Sequence, residues 1–287
     1  MLDELKQHVR DLLAGDVAFV VAYGESADGR TAPVLAREPA DADGLVWNDR
    51  CYFNLTRYLT DRDVMGDGEA KIGIVVKGCD LKTLNVLLSE KQVKRENLAV
   101  VAVRCEGMKD ADGNLLAKCE TCTVADPDPS FCDRVIGPVP QREPREDDYK
   151  DVDEIEAMSP AERLAYWSAE FDRCLRCDAC RNICPLCYCR ECLASQHDPR
   201  WIPASSSIAG NRLFHIVRAF HLAGRCTNCG ECERVCPAGI PITTLMRKMG
   251  SVVRDDFGFE PGATPDQRPP LVSFAHNDPD PEEVKAP

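Results

Sequence analysis

The chain has 287 residues, 44% of them hydrophobic, and a formal net charge of −13. That length suits two domains with a buried core. The acidic balance leaves no basic stripe to neutralise phosphates, so nucleic acid is not an expected partner, and no run of about 18 apolar residues is present to span a membrane.

The first half reads as α/β. Leu2, Leu5, Val9, Leu12 and Leu13 recur at helical spacing. This opening stretch lacks the apolar core of a secretion signal, so a cytoplasmic location is expected. Residues 17–23 form an apolar run that fits a buried strand, and residues 52–59 fit a short helix. A clearer unit follows: a strand at residues 71–76, a helix at 81–90 with Leu81, Leu84, Leu87 and Leu88 on one face, and a strand at 98–103. Its thirty-odd residues are the size of a βαβ crossover, which makes the two strands parallel and brings their C-terminal ends to one edge.

Cys79 follows the first of those strands and Cys105 the second, each beside a glycine, Gly78 and Gly107. Ligands of open α/β sheets bind outside the carboxyl ends of strands, and glycine lets backbone approach a bulky group. Cys119 and Cys122 follow as a C-x2-C pair. These four thiols are a candidate cluster site.

Residues 139–158, rich in Pro, Asp, Glu and Arg, are expected to be an exposed linker. Ser159, Pro160 and Glu162 then carry an N-cap, first-turn proline and capping-box pattern, predicting a helix that leads to Cys174. A helix is expected at 210–223, with Leu213, Val217 and Phe220 on its apolar face, and a short one at 243–249. The tail after Gly258 has no periodic pattern and is expected to be disordered or laid over a partner. The boundaries are an α/β domain at 1–138, the linker at 139–158, a mainly α, ferredoxin-like dicluster domain at 159–250 and a tail at 251–287.

Seventeen cysteines in a chain this long, without a signal, exclude a disulfide-stapled secreted scaffold. Two runs contain C-x2-C-x2-C-x3-C-P: Cys174, Cys177, Cys180, Cys184 with Pro185, and Cys226, Cys229, Cys232, Cys236 with Pro237. Structural zinc prefers two separated C-x2-C pairs. This spacing instead wraps three thiolates around one [4Fe–4S] cluster and lends the fourth to its neighbour. One cluster would take Cys174, Cys177, Cys180 and Cys236, the other Cys226, Cys229, Cys232 and Cys184.

Nine cysteines remain. Cys187, Cys189 and Cys192 are crowded enough to suggest a further site, with Cys51 as the fourth donor and zinc as the alternative to a cluster. Cys132 has no partner spacing and reads as a bystander. The total expectation is four [4Fe–4S] clusters. Arg176, Arg181 and Arg225 flank the ligands and would raise potentials; Asp178, Glu231 and Glu233 would lower them. His197, His215 and His221 read as surface or supporting residues. No G-x-G-x-x-G follows a strand, and no residue set suggests acid–base or nucleophilic catalysis.

Around Lys77-Gly78-Cys79-Asp80, Arg104-Cys105-Glu106-Gly107 and Cys119-x2-Cys122, the chain resembles the β subunit family of deazaflavin-coenzyme-reducing hydrogenases and formate dehydrogenases. The resemblance covers residues 70–125 and implies that Cys79, Cys105, Cys119 and Cys122 hold a [4Fe–4S] cluster beside FAD. The second half resembles dicluster subunits of anaerobic hydrogenases, formate dehydrogenases and heterodisulfide reductases. The reading is a multi-cluster electron-transfer subunit working with other redox subunits of a hetero-oligomeric complex. The alternatives are a FAD-containing subunit that exchanges electrons with a soluble flavin-like or nicotinamide coenzyme, and a free ferredoxin-like carrier.

Overall fold

The computed structural model describes residues 1–274 except 67, 144, 146, 148, 204 and 205. Among the described residues, five strands form one sheet in the order β2-β1-β3-β4-β5: β1 (Val20–Glu25), β2 (Thr31–Ala36), β3 (Ile72–Val76), β4 (Leu98–Val103) and β5 (Arg134–Ile136). β1, β3, β4 and β5 run parallel, and β2 returns antiparallel on β1. The two central strands are buried at every position, so they read as continuous apolar runs rather than alternating ones.

The helices are α1 (Leu2–Ala14), α2 (Arg62–Met65), α3 (Gly78–Ser89), α4 (Ala117–Glu120), α5 (Lys150–Glu156), α6 (Pro160–Asp172), α7 (Ala179–Asn182), α8 (Ile208–His221), α9 (Glu231–Arg234) and α10 (Ile242–Phe257). Leu5, Val9 and Leu13 of α1 join the buried core. Among the described residues no helix is long and apolar enough to cross a membrane.

The βαβ unit is present, but α3 starts at Gly78, three residues earlier than its apolar face suggests. Asp80 causes this: its Oδ2 accepts from the Lys77 backbone N–H at 3.0 Å, satisfying a donor at the helix start. Cys79 therefore lies in the first turn of α3, not in a loop. Residues 52–59 give a 3-10 turn at Leu55–Thr60. β2, with Pro33, and the three-residue β5 fall at the sheet edges, where proline and short strands are tolerated.

Four expectations in the second half change. The stretch read as an exposed linker contains α5, whose Val152 and Ile155 are buried. Asp147 and Asp151 hold the α5 region against α10 through Arg247, with Arg247 Nη1 2.9 Å from Asp147 Oδ2 and Nε 2.9 Å from Asp151 Oδ1. α10 runs on to Phe257. The described part of the tail is not free either: Asn85 donates to the Gly262 carbonyl at 3.0 Å, and Lys82 pairs with Glu260 at 2.5 Å, laying residues 258–262 on α3. On α8 the buried face is Phe214, His215, Arg218 and Ala219, while Leu213 and Phe220 face solvent.

Candidate metal centre

Cys79, Cys105, Cys119 and Cys122 line one cavity at the carboxyl edge of β3 and β4, together with Lys77, Lys118, Arg142, Arg145 and Asn228. Two glycines make this edge site. A Cβ on Gly78 would stand 1.8 Å from the Val124 carbonyl oxygen, so only glycine lets the Cys122 loop press onto the start of α3. Gly107 has φ +121, and a Cβ there would meet Leu115 at 2.6 Å. Backbone N–H groups point at sulfur: Gly107 donates to Cys105 Sγ and Met108 to Cys119 Sγ, both at 3.3 Å. Burial raises the Cys79 thiol well above its ordinary value and pushes Cys105 up to about 11.

The two cysteine runs fold alike. Arg176 and Asn228 occupy the same place between the first two cysteines of each run, and both are left-handed, with φ 54 and 55. Asp178 and Gly230, directly after the second cysteines, are left-handed too, with φ 57 and 71. Each loop then enters a one-turn helix, α7 or α9. The repeat leaves two cavities. Cys174, Cys177, Cys180 and Cys236 line one, the outer site, with Arg176, Phe214 and His215. Cys184, Cys226, Cys229 and Cys232 line the other, the middle site, with Arg218, Asn228 and Glu231. Burial pushes Cys226, Cys229 and Cys232 up to about 12.

The middle site touches both others. Asn228 walls it and the edge site. Arg218 lines it and donates to the Cys180 carbonyl of the outer run at 2.9 Å. Among the described residues no three His, Cys, Asp or Glu side chains converge tightly enough to hold a single metal ion. Thiolates on one zinc lie about 2.3 Å from a common point; these quartets surround volumes instead.

The donor sets fit an anionic polynuclear cluster. At each cavity a buried cationic or ring N–H lacks a partner among the described residues: Arg142 Nε and Nη1 at the edge site, Arg218 Nε and Nη1 at the middle site, and Arg176 Nε with the His215 ring at the outer site. A buried donor without a partner costs about 1–3 kcal/mol. Sulfide and thiolate acceptors in the cavities would satisfy all of them. His215 is 1% exposed and stacks on Phe171 at 4.8 Å, so it is neither a surface residue nor oriented by a protein hydrogen bond. Burial, then Arg218 and Arg176, push it down to about 4, keeping the ring neutral.

Cys51 does not join Cys187, Cys189 and Cys192. It is fully buried, accepts from the Asn48 N–H at 3.3 Å, and feels the charges of Lys77 and Cys105. Lys77 caps the start of α3. The trio lies at the other end of that helix: Tyr188, beside Cys187, donates to Glu90, the C-cap, at 2.6 Å. Twelve helical residues separate the two ends, about 18 Å at 1.5 Å per residue. Cys187 instead shares a hydrogen bond with Cys184, which raises the Cys184 thiol and lowers Cys187. Cys189 is exposed, and Cys132 is a partly buried thiol 3.6 Å from the Asp128 carbonyl.

Residues 170–240 match a family model described as a 4Fe-4S dicluster domain. This segment spans both cysteine runs. The chain is also 37% identical over 112 residues to the F420-dependent formate dehydrogenase subunit beta of Methanocaldococcus jannaschii, covering 39% of this chain and 28% of that protein. It is 34% identical over 106 residues to the F420-dependent formate dehydrogenase 1 subunit beta of Methanococcus maripaludis, covering 37% and 26%. It thus spans about a quarter of the length of these curated relatives. The match, the cysteine content and the relatives place the chain with iron–sulfur, electron-transferring oxidoreductase proteins.

Several residues around the sites escape a reading by cysteine spacing. Lys77, Lys118, Arg142, Arg145 and Arg218 line the cavities. For Lys77 a signal existed: a lysine at the end of an apolar strand, three residues before Asp80, is placed to pair with it, and their charges meet at 2.7 Å. Of the flanking arginines expected to tune the clusters, Arg176 lines the outer site, while Arg225 is held by Glu90 at 2.8 Å and Arg181 turns to Asn182 at 3.1 Å.

Proposed function

We propose that the chain is a multi-cluster iron–sulfur subunit relaying electrons within a larger anaerobic, cytoplasmic redox complex, of the formate dehydrogenase kind that the relatives' names indicate. The observation that carries this is the set of three cysteine quartets lining three neighbouring cavities, the edge and middle ones sharing Asn228 and the middle and outer ones linked by Arg218. Cys79, Cys105, Cys119 and Cys122 hold the edge cluster. Cys184, Cys226, Cys229 and Cys232 hold the middle one, and Cys174, Cys177, Cys180 and Cys236 the outer one. A [4Fe–4S] cluster, when bound, supplies one-electron redox chemistry at a potential set by nearby charge, hydrogen bonds and burial.

The chain's own residues do the rest. Apolar residues such as Phe214, Ile240 and Ile242 at the outer site and Leu186 and Met246 at the middle site exclude water. Buried N–H groups face the cavities without partners among the described residues. Asn228 and Lys118 bring the ferredoxin-like module against the carboxyl edge of the sheet. The reading contains no FAD and no fourth cluster at Cys51, Cys187, Cys189 and Cys192. Donor and acceptor come from partner subunits.

Anaerobic purification from the native source tests this. Other redox subunits should co-purify, and Cys229→Ala should abolish electron transfer between them while Cys132→Ala leaves it intact. A chain purified alone, with electron transfer among those subunits undiminished in its absence, would refute the role.

A further inference from the structure

Lys118 is carried by α4, one residue before Cys119, yet its charge is delivered into the other domain. Nζ donates to the Cys229 carbonyl at 2.9 Å and to the Tyr52 carbonyl at 2.8 Å, and lies 3.5 Å from Glu231. The side chain is 8% exposed and that of Glu231 1%. Its methylenes run along Gly230: a Cβ there would meet Lys118 Cδ at 3.1 Å, and Gly230 has φ +71. Lys118 lines the edge cavity, and Glu231 lines the middle one. Arg234 closes the group, donating to Glu231 Oε2 at 2.7 Å and covering the Phe53 ring at 4.4 Å.

Burying an ammonium is costly unless it is paired and hydrogen-bonded. Fastening two domains would not need a cation in this position, because the Thr83–Thr227 hydrogen bond already joins them nearby. A positive charge in a dry wall favours whichever state of a neighbouring group carries more negative charge, and in low dielectric the effect reaches beyond contact distance. Here the neighbours are the thiolates of two quartets at once.

Resting on the three-site reading above, we propose that Lys118 is a shared electrostatic tuning residue, raising the reduction potentials of the edge and middle sites together through the wall between them, with Glu231 as its counter-charge. The outer site has its own cation, Arg176, and lies outside this effect.

The test is a potentiometric titration of the anaerobically prepared protein, followed by electron paramagnetic resonance. Signals are assigned with Cys105→Ala, which removes the edge cluster, and Cys177→Ala, which removes the outer one. Lys118→Met should move the edge and middle potentials down and leave the outer one in place. Lys118→Arg, which keeps the charge, should restore them toward the parent values. Glu231→Gln should move the middle potential up. A downward shift at all three sites alike, or no shift at the edge and middle sites, overturns the proposal. If Lys118→Met loses clusters, Glu231→Gln decides: an upward shift of the middle potential with the outer one unmoved supports the tuning role, and an unmoved middle potential overturns it. Absence of any signal removable by Cys105→Ala in the parent protein would instead defeat the three-site reading itself.

Discussion

Thr83 and Thr227 share a 2.7 Å hydrogen bond that joins α3 of the sheet domain to the loop between Cys226 and Cys229. Thr83 Oγ1 also accepts from Asn54 at 3.0 Å and donates to the Cys79 carbonyl at 3.2 Å. One hydroxyl thus touches the backbone of the edge site and the loop of the middle site. Thr83→Val preserves shape but leaves the Asn54 amide and the Thr227 hydroxyl without this partner. Each buried orphan costs about 1–3 kcal/mol, so the loaded protein should unfold at clearly lower denaturant concentration. An unchanged midpoint would show that the junction is not held here.

Gly78→Ala should empty the edge site. The added Cβ would collide with the Val124 carbonyl, which is backbone and has no rotamer to yield. The Cys122 loop must then retreat from Cys79. Iron should fall by about four atoms per chain, one cluster's worth, while the other two sites stay loaded. Full iron in this variant would separate the loop from the site.

Acid should oppose loading. Burial pushes Cys226, Cys229 and Cys232 up to about 12 from 9.0, and a thiol must lose its proton to become a ligand. Iron retention against a chelator should therefore decrease as pH falls from about 8 to about 5. In the metal-free fold the sign reverses. Raised thiols favour folding below about 9, and that contribution disappears as pH rises toward about 12. Metal-free protein should thus lose stability between about pH 9 and about pH 12 where loaded protein does not. Denaturation midpoints of metal-free protein that stay level across that window would contradict this.

Cys51→Ala should keep full iron. The thiol is enclosed by Asn48 and Val46, a helix length from the Cys187 trio. Its loss should cost about 1–2 kcal/mol of stability from packing and one weak hydrogen bond. Loss of a cluster signal would restore Cys51 as a ligand.

The parallel core was legible because β3 and β4 are unbroken apolar runs separated by one amphipathic helix. The α6 start was legible because Ser159 and Glu162 close a capping box, at 3.3 and 2.8 Å. Edge strands β2 and β5 were not, since one holds a proline and the other has three residues. α5 was hidden by its charge: only Val152 and Ile155 are buried, and Arg247 of a distant helix pairs with Asp151 in it and Asp147 just before it. The cysteine quartets were readable where ligand spacing is local. The Cys51 pairing needed three-dimensional knowledge, because only the span of α3 separates it from the trio. Lys118 and Arg218 were unreadable for the same reason: they reach their sites across domain or helix packing.

The most direct test is iron and inorganic sulfide per chain in protein prepared without oxygen. Three quartets predict about twelve of each, four per cluster. A value near eight would leave the edge quartet without a cluster, and a value near sixteen would demand the fourth site that the separation of Cys51 from Cys187, Cys189 and Cys192 denies; either would contradict the account.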